Sequence, residues 1–119
     1  MRRVILESPY KGSSSWSLMA FLQRILNRRY ARRCVRHSLM LGEAPIASHL
    51  LYTQPGILCD EDHLERTWGI NAGLAWRSVA DASVVYVDRG ISEGMRYGID
   101  AAEKAGLTVE KRSLKGGAR

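Results

Sequence analysis

Apolar residues in this chain come in short unbroken runs, separated by longer stretches where they recur every three or four positions. Val4-Ile5-Leu6, ended by Ser8-Pro9, is one such run and predicts a buried strand. From Trp16 to Leu41 the spacing is helical, in two stripes. The first is Leu18, Phe21, Leu22, Ile25 and Leu26; the second is Tyr30, Ala31, Cys34, Val35, Ser38 and Leu39. They do not join across Asn27-Arg28-Arg29, which predicts a break or kink there, or two helices. Ser15 or Ser17 would cap the start, and Gly42 the end. Ala44-Pro45-Ile46-Ala47-Ser48 predicts a short second strand, and His49 to Asp62 a long loop turning at Gln54-Pro55-Gly56. Glu61 to Val79 predicts a helix with Leu64, Trp68, Ile70 or Asn71, Leu74 and Ala75 on one side. Ser83-Val84-Val85-Tyr86-Val87 is the clearest strand. Ser92 to Ala105 then predicts a helix with Gly106 as C-cap, and Leu107 to Glu110 a last strand.

Strands alternating with helices imply an α/β fold, with a parallel sheet of about four strands covered on both faces as a three-layer sandwich. The 119 residues suit a single domain over 1–114, with 115–119 as a flexible tail. The composition is ordinary for a globular chain and argues against disorder or a disulfide scaffold. Cys34 and Cys59 cannot build a four-thiolate zinc site, and their spacing matches no redox motif. Both are expected to be free thiols in a reducing, cytoplasmic setting. No metal or cofactor is expected. No stretch approaches the roughly 18 apolar residues of a membrane span, and Glu7-Ser8-Pro9 ends the N-terminal apolar run too early for a signal peptide.

Charge is uneven: +8 over residues 1–37, −6 over 38–110 and +4 over 111–119. Most of the basic excess lies in Arg24, Arg28, Arg29, Arg32, Arg33 and Arg36. Such a cluster can hold nucleic acid phosphate, or simply form a solvated helix face.

In parallel sheets of this class a ligand sits beyond the carboxyl ends of the strands. That rule selects Glu7 to Lys11, Ser48 to Tyr52, Asp88 to Met95, and the weaker end near Glu110. In the third segment Ser92 can cap a helix whose first turn Gly94 keeps bare, so free N–H groups there could meet a phosphate or a ribose hydroxyl. In the first, Tyr10 could stack on a base and Lys11 meet a phosphate. His49 could be a site residue or a structural one, while His37 and His63 are expected at the surface. No HExxH, GxSxG or GxxxxGK[ST] motif occurs.

Four pieces carry a resemblance: strand one running into Ser8-Pro9-Tyr10; Ala47-Ser48-His49-Leu50; Ala80-Asp81 leading into Val84-Val85-Tyr86-Val87; and Ser92-Glu93-Gly94-Met95-Arg96-Tyr97-Gly98 with Ala101 and Ala102 beyond. Together they resemble the nucleoside 2-deoxyribosyltransferase-like superfamily, and residues 43–56 are most like its small phage and bacterial branch. The likeness covers residues 2–12 and 29–114 and leaves 13–28 as an insertion. It implies a flavodoxin-like, Rossmann-like sheet, a nucleoside or nucleotide ligand, and a homo-oligomer, a dimer or higher. In that family a helix glutamate attacks the sugar carbon and a second carboxylate assists. Here Gly98 stands at the position that the resemblance gives the nucleophile, and Ser92 at the assisting position.

Three functions follow as expectations. The first is a nucleoside- or nucleotide-binding protein without the nucleophile, its ligand held by Ser8, Pro9, Tyr10, Lys11, Ser48, His49, Ser92, Gly94 and Met95. The second is an N-glycosidic bond hydrolase or deoxyribosyltransferase with rearranged acids, for which Glu7, Asp88 and Glu93 are the catalytic candidates. The third is a nucleic-acid or protein interaction module acting through Arg24 to Arg36. The apolar stripe 16–26 has little core left to cover in so small a sheet, so it is expected either to pack locally or to meet a second subunit.

Overall fold

The computed structural model describes residues 1–11 and 17–115. The proposed Ser15 cap and residues 116–119 of the tail lie outside them.

Four parallel strands form one sheet in the order β2-β1-β3-β4. They are β1 (Arg3–Glu7), β2 (Ala44–Ile46), β3 (Ala82–Tyr86) and β4 (Thr108–Arg112). The helices are α1 (Ser17–Met40), α2 (Ser48–Leu51), α3 (His63–Ala75) and α4 (Glu93–Lys104). This is the flavodoxin-like order 2-1-3-4, with its switch point between β1 and β3. The three-layer α/β architecture expected from the alternation of elements is therefore the observed one.

Side chains alternate across each strand, and that alternation divides the core. Val4 and Leu6 of β1, with Ala82, Val84 and Tyr86 of β3, pack against Tyr30 and Cys34 of α1. Ile5 and Glu7, Ser83 and Val85 therefore face the opposite layer, where α4 packs on β3 and β4.

Helix α1 runs unbroken from Ser17 to Met40, so the break expected at Asn27-Arg28-Arg29 does not occur. The two stripes fail to join because they lie on opposite faces of one helix. Asn27, Tyr30, Ala31, Cys34 and Ser38 are buried, whereas Leu18, Leu22 and Ile25 point outward. Gly42 and Gly106 end their helices at φ +81° and +79°, as expected of C-caps.

Further expectations need correction. Ser48 and His49 do not end a strand: β2 stops at Ile46 and they open the short helix α2 inside the expected loop. The helix expected over 61–79 is shorter. Asp62 caps α3 by accepting the Leu64 and Glu65 N–H groups at 3.0 and 3.1 Å, and the helix gives way at Ala75 to a 3-10 turn, Trp76–Ser78. Leu64 and Trp68, expected on a packed side, are exposed. His37 is not a free surface residue, because its Nδ1 lies 2.8 Å from the Tyr86 hydroxyl. That hydroxyl also accepts from Arg112 at 3.3 Å, and Arg112 makes paired contacts of 2.7 and 2.6 Å to Glu43. Backbone pairing of Val85 and Tyr86 with Lys111 and Arg112 carries β4 to Arg112, beyond the Glu110 end expected.

Candidate functional site

Glu7 is the last residue of β1, and strand alternation turns it toward α3 and α4. Its Oε2 accepts from Arg77 at 2.8 Å. Arg77 also donates to the Gly73 carbonyl of α3 at 3.1 Å and to the Gly98 carbonyl of α4 at 3.2 Å. One guanidinium thus ties β1, α3 and α4 together at the carboxyl end of the sheet. Its Nε is buried without a partner, as is the Ser83 hydroxyl on the same face.

The approach of α4 to β1 is close enough to require glycine. A Cβ at position 98 would stand 2.7 Å from Cδ of Glu7 and nearer still to Oε2. Gly73 plays the same part against α2, where a Cβ would fall 2.6 Å from the Ser48 hydroxyl. The Glu7 carboxylate therefore fills the space into which any side chain at position 98 would project. Burial pushes its pKa up to about 7, although Arg77 favours the ionised form.

Ser8, next in sequence, is buried, and its Oγ lies 2.6 Å from His49 Nε2. Burial lowers the His49 pKa to about 4, so the imidazole is neutral at pH 7. α4 begins at Glu93, five residues before Gly98. Ser92 caps it by accepting the Met95 N–H at 3.2 Å, and the Ser92 N–H points at the Met95 sulfur at 3.4 Å. Met95 is buried, while Glu93 and Gly94 are exposed. Of the remaining binding candidates, Pro9 is buried, Tyr10 is half-buried and Lys11 is exposed. The Tyr10 and Lys11 carbonyls accept from Asn27 at 3.2 and 3.5 Å.

The three candidate acids are not brought together. Glu7 joins the Arg77–Gly98 cluster. Asp88 belongs to the α1 layer: it accepts from the Tyr30 hydroxyl and the Ser113 hydroxyl, both at 2.6 Å, and from the Leu114 N–H at 3.1 Å. Burial works against its ionisation, but these hydrogen bonds outweigh it and hold the carboxyl at about 2. A carboxylate so saturated is a structural tie between β3, α1 and the segment after β4. Glu93 stands exposed in the first turn of α4. Arg77, Gly73 and the packing role of Gly98 were not read from the sequence. The signal available was a glycine inside each of two helices, which marks close approach of another element. Among the described residues no group of three or more His, Cys, Asp and Glu side chains could hold a metal ion.

A family model described as Domain of unknown function (DUF7768) matches residues 2–112. The chain belongs to this family. The match spans every strand and helix of the fold, α1 included. Comparison with curated protein sequences finds no match. Among solved structures, the chain is similar to the 2-deoxyribosyltransferase from the psychrotolerant bacterium Bacillus psychrosaccharolyticus, with a TM-score of 0.62 at 17% identity, covering 93% of this chain and 72% of that one. That likeness shows that this DUF7768 member shares the fold of a nucleoside deoxyribosyltransferase. No helix among the described residues is long and apolar enough to cross a membrane.

Proposed function

We propose that the protein binds a nucleoside or nucleotide at the carboxyl edge between β1 and β3, and that it does so without a helix carboxylate at position 98. The observation that supports this reading is the packing around Gly98. The Glu7 carboxylate, anchored by Arg77, takes up the space a nucleophile on α4 would need. What stays available at that edge suits recognition: the Ser8–His49 pair, Ser48, and the bare first turn of α4 behind its Ser92 cap. Likeness to a deoxyribosyltransferase fold supports the ligand class.

A second reading has its own observation. Glu7 is a carboxyl raised to about 7 at the switch point of the sheet, the range in which a general acid works at neutral pH. In that reading Glu7 serves an N-glycosidic hydrolase or deoxyribosyltransferase, with the acid supplied from the strand. Asp88 and Glu93 drop out as its partners, the first by saturation and the second by exposure.

One chromatographic experiment separates the two. The protein is incubated with a mixture of nucleosides and 5′-nucleotides, filtered, and both filtrate and denatured retentate are resolved. Intact nucleotide in the retentate with no released base supports binding. Free base in the filtrate, abolished by Glu7→Gln, supports the enzyme. Neither retention nor release refutes both.

A further inference from the structure

The two edges of the sheet are not alike. A strand residue sends its N–H and C=O to one side, and its neighbours send theirs to the other. The Ala44 N–H donates to the Arg2 carbonyl at 2.8 Å, so within β2 it is Pro45 that faces away from β1. Proline has no N–H, which closes this three-residue edge to a further strand. At the other edge the Arg112 carbonyl accepts from the Val87 N–H at 2.9 Å. Thr108, Glu110 and Arg112 therefore point at β3, while Val109 and Lys111 turn their N–H and C=O groups outward.

The layer beside this edge is open as well. α4 packs on β3 and β4 alike and buries Met95, Gly98 and Ala102. Between the helix and β4 runs a groove of about 520 Å³. Ile99 and Val109 form its apolar part, and Arg96, Asp100, Glu103 and Lys111 its charged rim. At about 100° per residue, Ile99, Glu103 and Arg96 share one flank of α4, within an arc of about 60°. All four charged residues are exposed, and among the described residues none of them forms an ion pair within the chain. Two cations and two anions make this rim neutral. It can match a copy of itself, which the arginines of α1, with no acid among them, cannot.

We propose that β4 of one copy pairs antiparallel with β4 of a second copy about a two-fold axis perpendicular to the sheet, with the two α4 helices side by side over the joint. Such an axis keeps both helices on one face of the continued sheet and runs them antiparallel, so every contact is made twice. The spacing fits. Strands lie about 4.8 Å apart, so helices that each cover β3 and β4 come to about 10 Å from one another, the distance at which helices pack. With the axis between Ile99 and Asp100, Arg96 stands opposite Glu103 of the other copy. Within one chain these two are about 10 Å apart along the helix, so their pairing is made between copies. One axis serves strand and helix together, because Ile99 and Asp100 line the same groove as Val109 and Lys111. A lone peptide strand would pair the edge but leave the rim of α4 unmatched.

Sedimentation equilibrium of the full chain tests this. The wild type sediments at twice the 13.3 kDa chain mass. Lys111→Pro is monomeric. The N–H it removes points outward, so the ladder to β3 keeps its bonds, and far-UV circular dichroism checks the fold. Arg96→Glu and Glu103→Arg lie at exposed positions and keep the test decisive should the proline variant fail to fold. Each weakens the dimer by roughly tenfold or more, and the two in one chain restore it. A wild type that stays monomeric overturns the proposal, as does a folded Lys111→Pro protein that dimerises like wild type. It also fails if the doubly swapped protein is no tighter a dimer than either single variant.

Discussion

Replacing Gly98 by alanine tests the central packing relation of the site. In an ordinary helix interior this change stabilises by about 0.5–1 kcal/mol, because alanine loses less backbone entropy. Here the added methyl would stand 2.7 Å from Cδ of Glu7 and closer to Oε2, well inside contact distance. The carboxylate must move, and Arg77 holds it at 2.8 Å in a site where both side chains are largely buried. Separating such a pair leaves uncompensated buried charge, at a cost of about 3–5 kcal/mol. The net expectation is a loss of about 2–4 kcal/mol, which lowers a urea midpoint by about 1–2 M. In a Glu7→Ala background the obstacle is gone, so Gly98→Ala should stabilise by about 0.5–1 kcal/mol. Equilibrium urea unfolding of the four proteins gives the coupling energy directly. A higher midpoint for Gly98→Ala in the wild-type background would refute the claim that Glu7 is what demands glycine at this position.

Two further outcomes follow from ionisation and burial. Glu7 has a raised pKa in the folded state, so its contribution is complete below about pH 4.5 and is lost as pH rises through 7; His49 has a lowered one, so its contribution is complete above about 6.5 and is lost as pH falls through 4. The two oppose each other between these limits, so Glu7→Gln should show stability rising with pH across about 4–6.5 more steeply than wild type, read by thermal unfolding in a pH series. Parallel wild-type and variant curves would contradict the burial of Glu7. Cys59 is exposed, whereas burial pushes the Cys34 thiol up to about 12. A thiol reagent should therefore modify one cysteine in the native protein and the second only on unfolding, and rapid modification of both would mean that the α1 layer opens.

Much of this molecule is legible in the linear order of its residues. The alternation of short apolar runs with helical spacing specifies a parallel α/β sheet, since parallel neighbours need crossover helices. Ser92, Gly42 and Gly106 mark helix ends through local backbone chemistry that needs no tertiary partner. The strand-end rule likewise directs attention to Glu7, Ser8, His49 and Ser92 before any side chain is placed. What the sequence could not decide is which face of an element is covered and what each polar group meets. The two stripes of α1 read as a break because periodicity reports spacing and not which side the sheet lies on. Asp88 and Glu7 look alike as strand-end carboxylates, yet one is saturated by Tyr30, Ser113 and Leu114 while the other is buried against a single arginine. Gly98 reads as an absent side chain, but the fold reveals it as the space Glu7 occupies. These distinctions arise between residues dozens of positions apart, so only packing can make them.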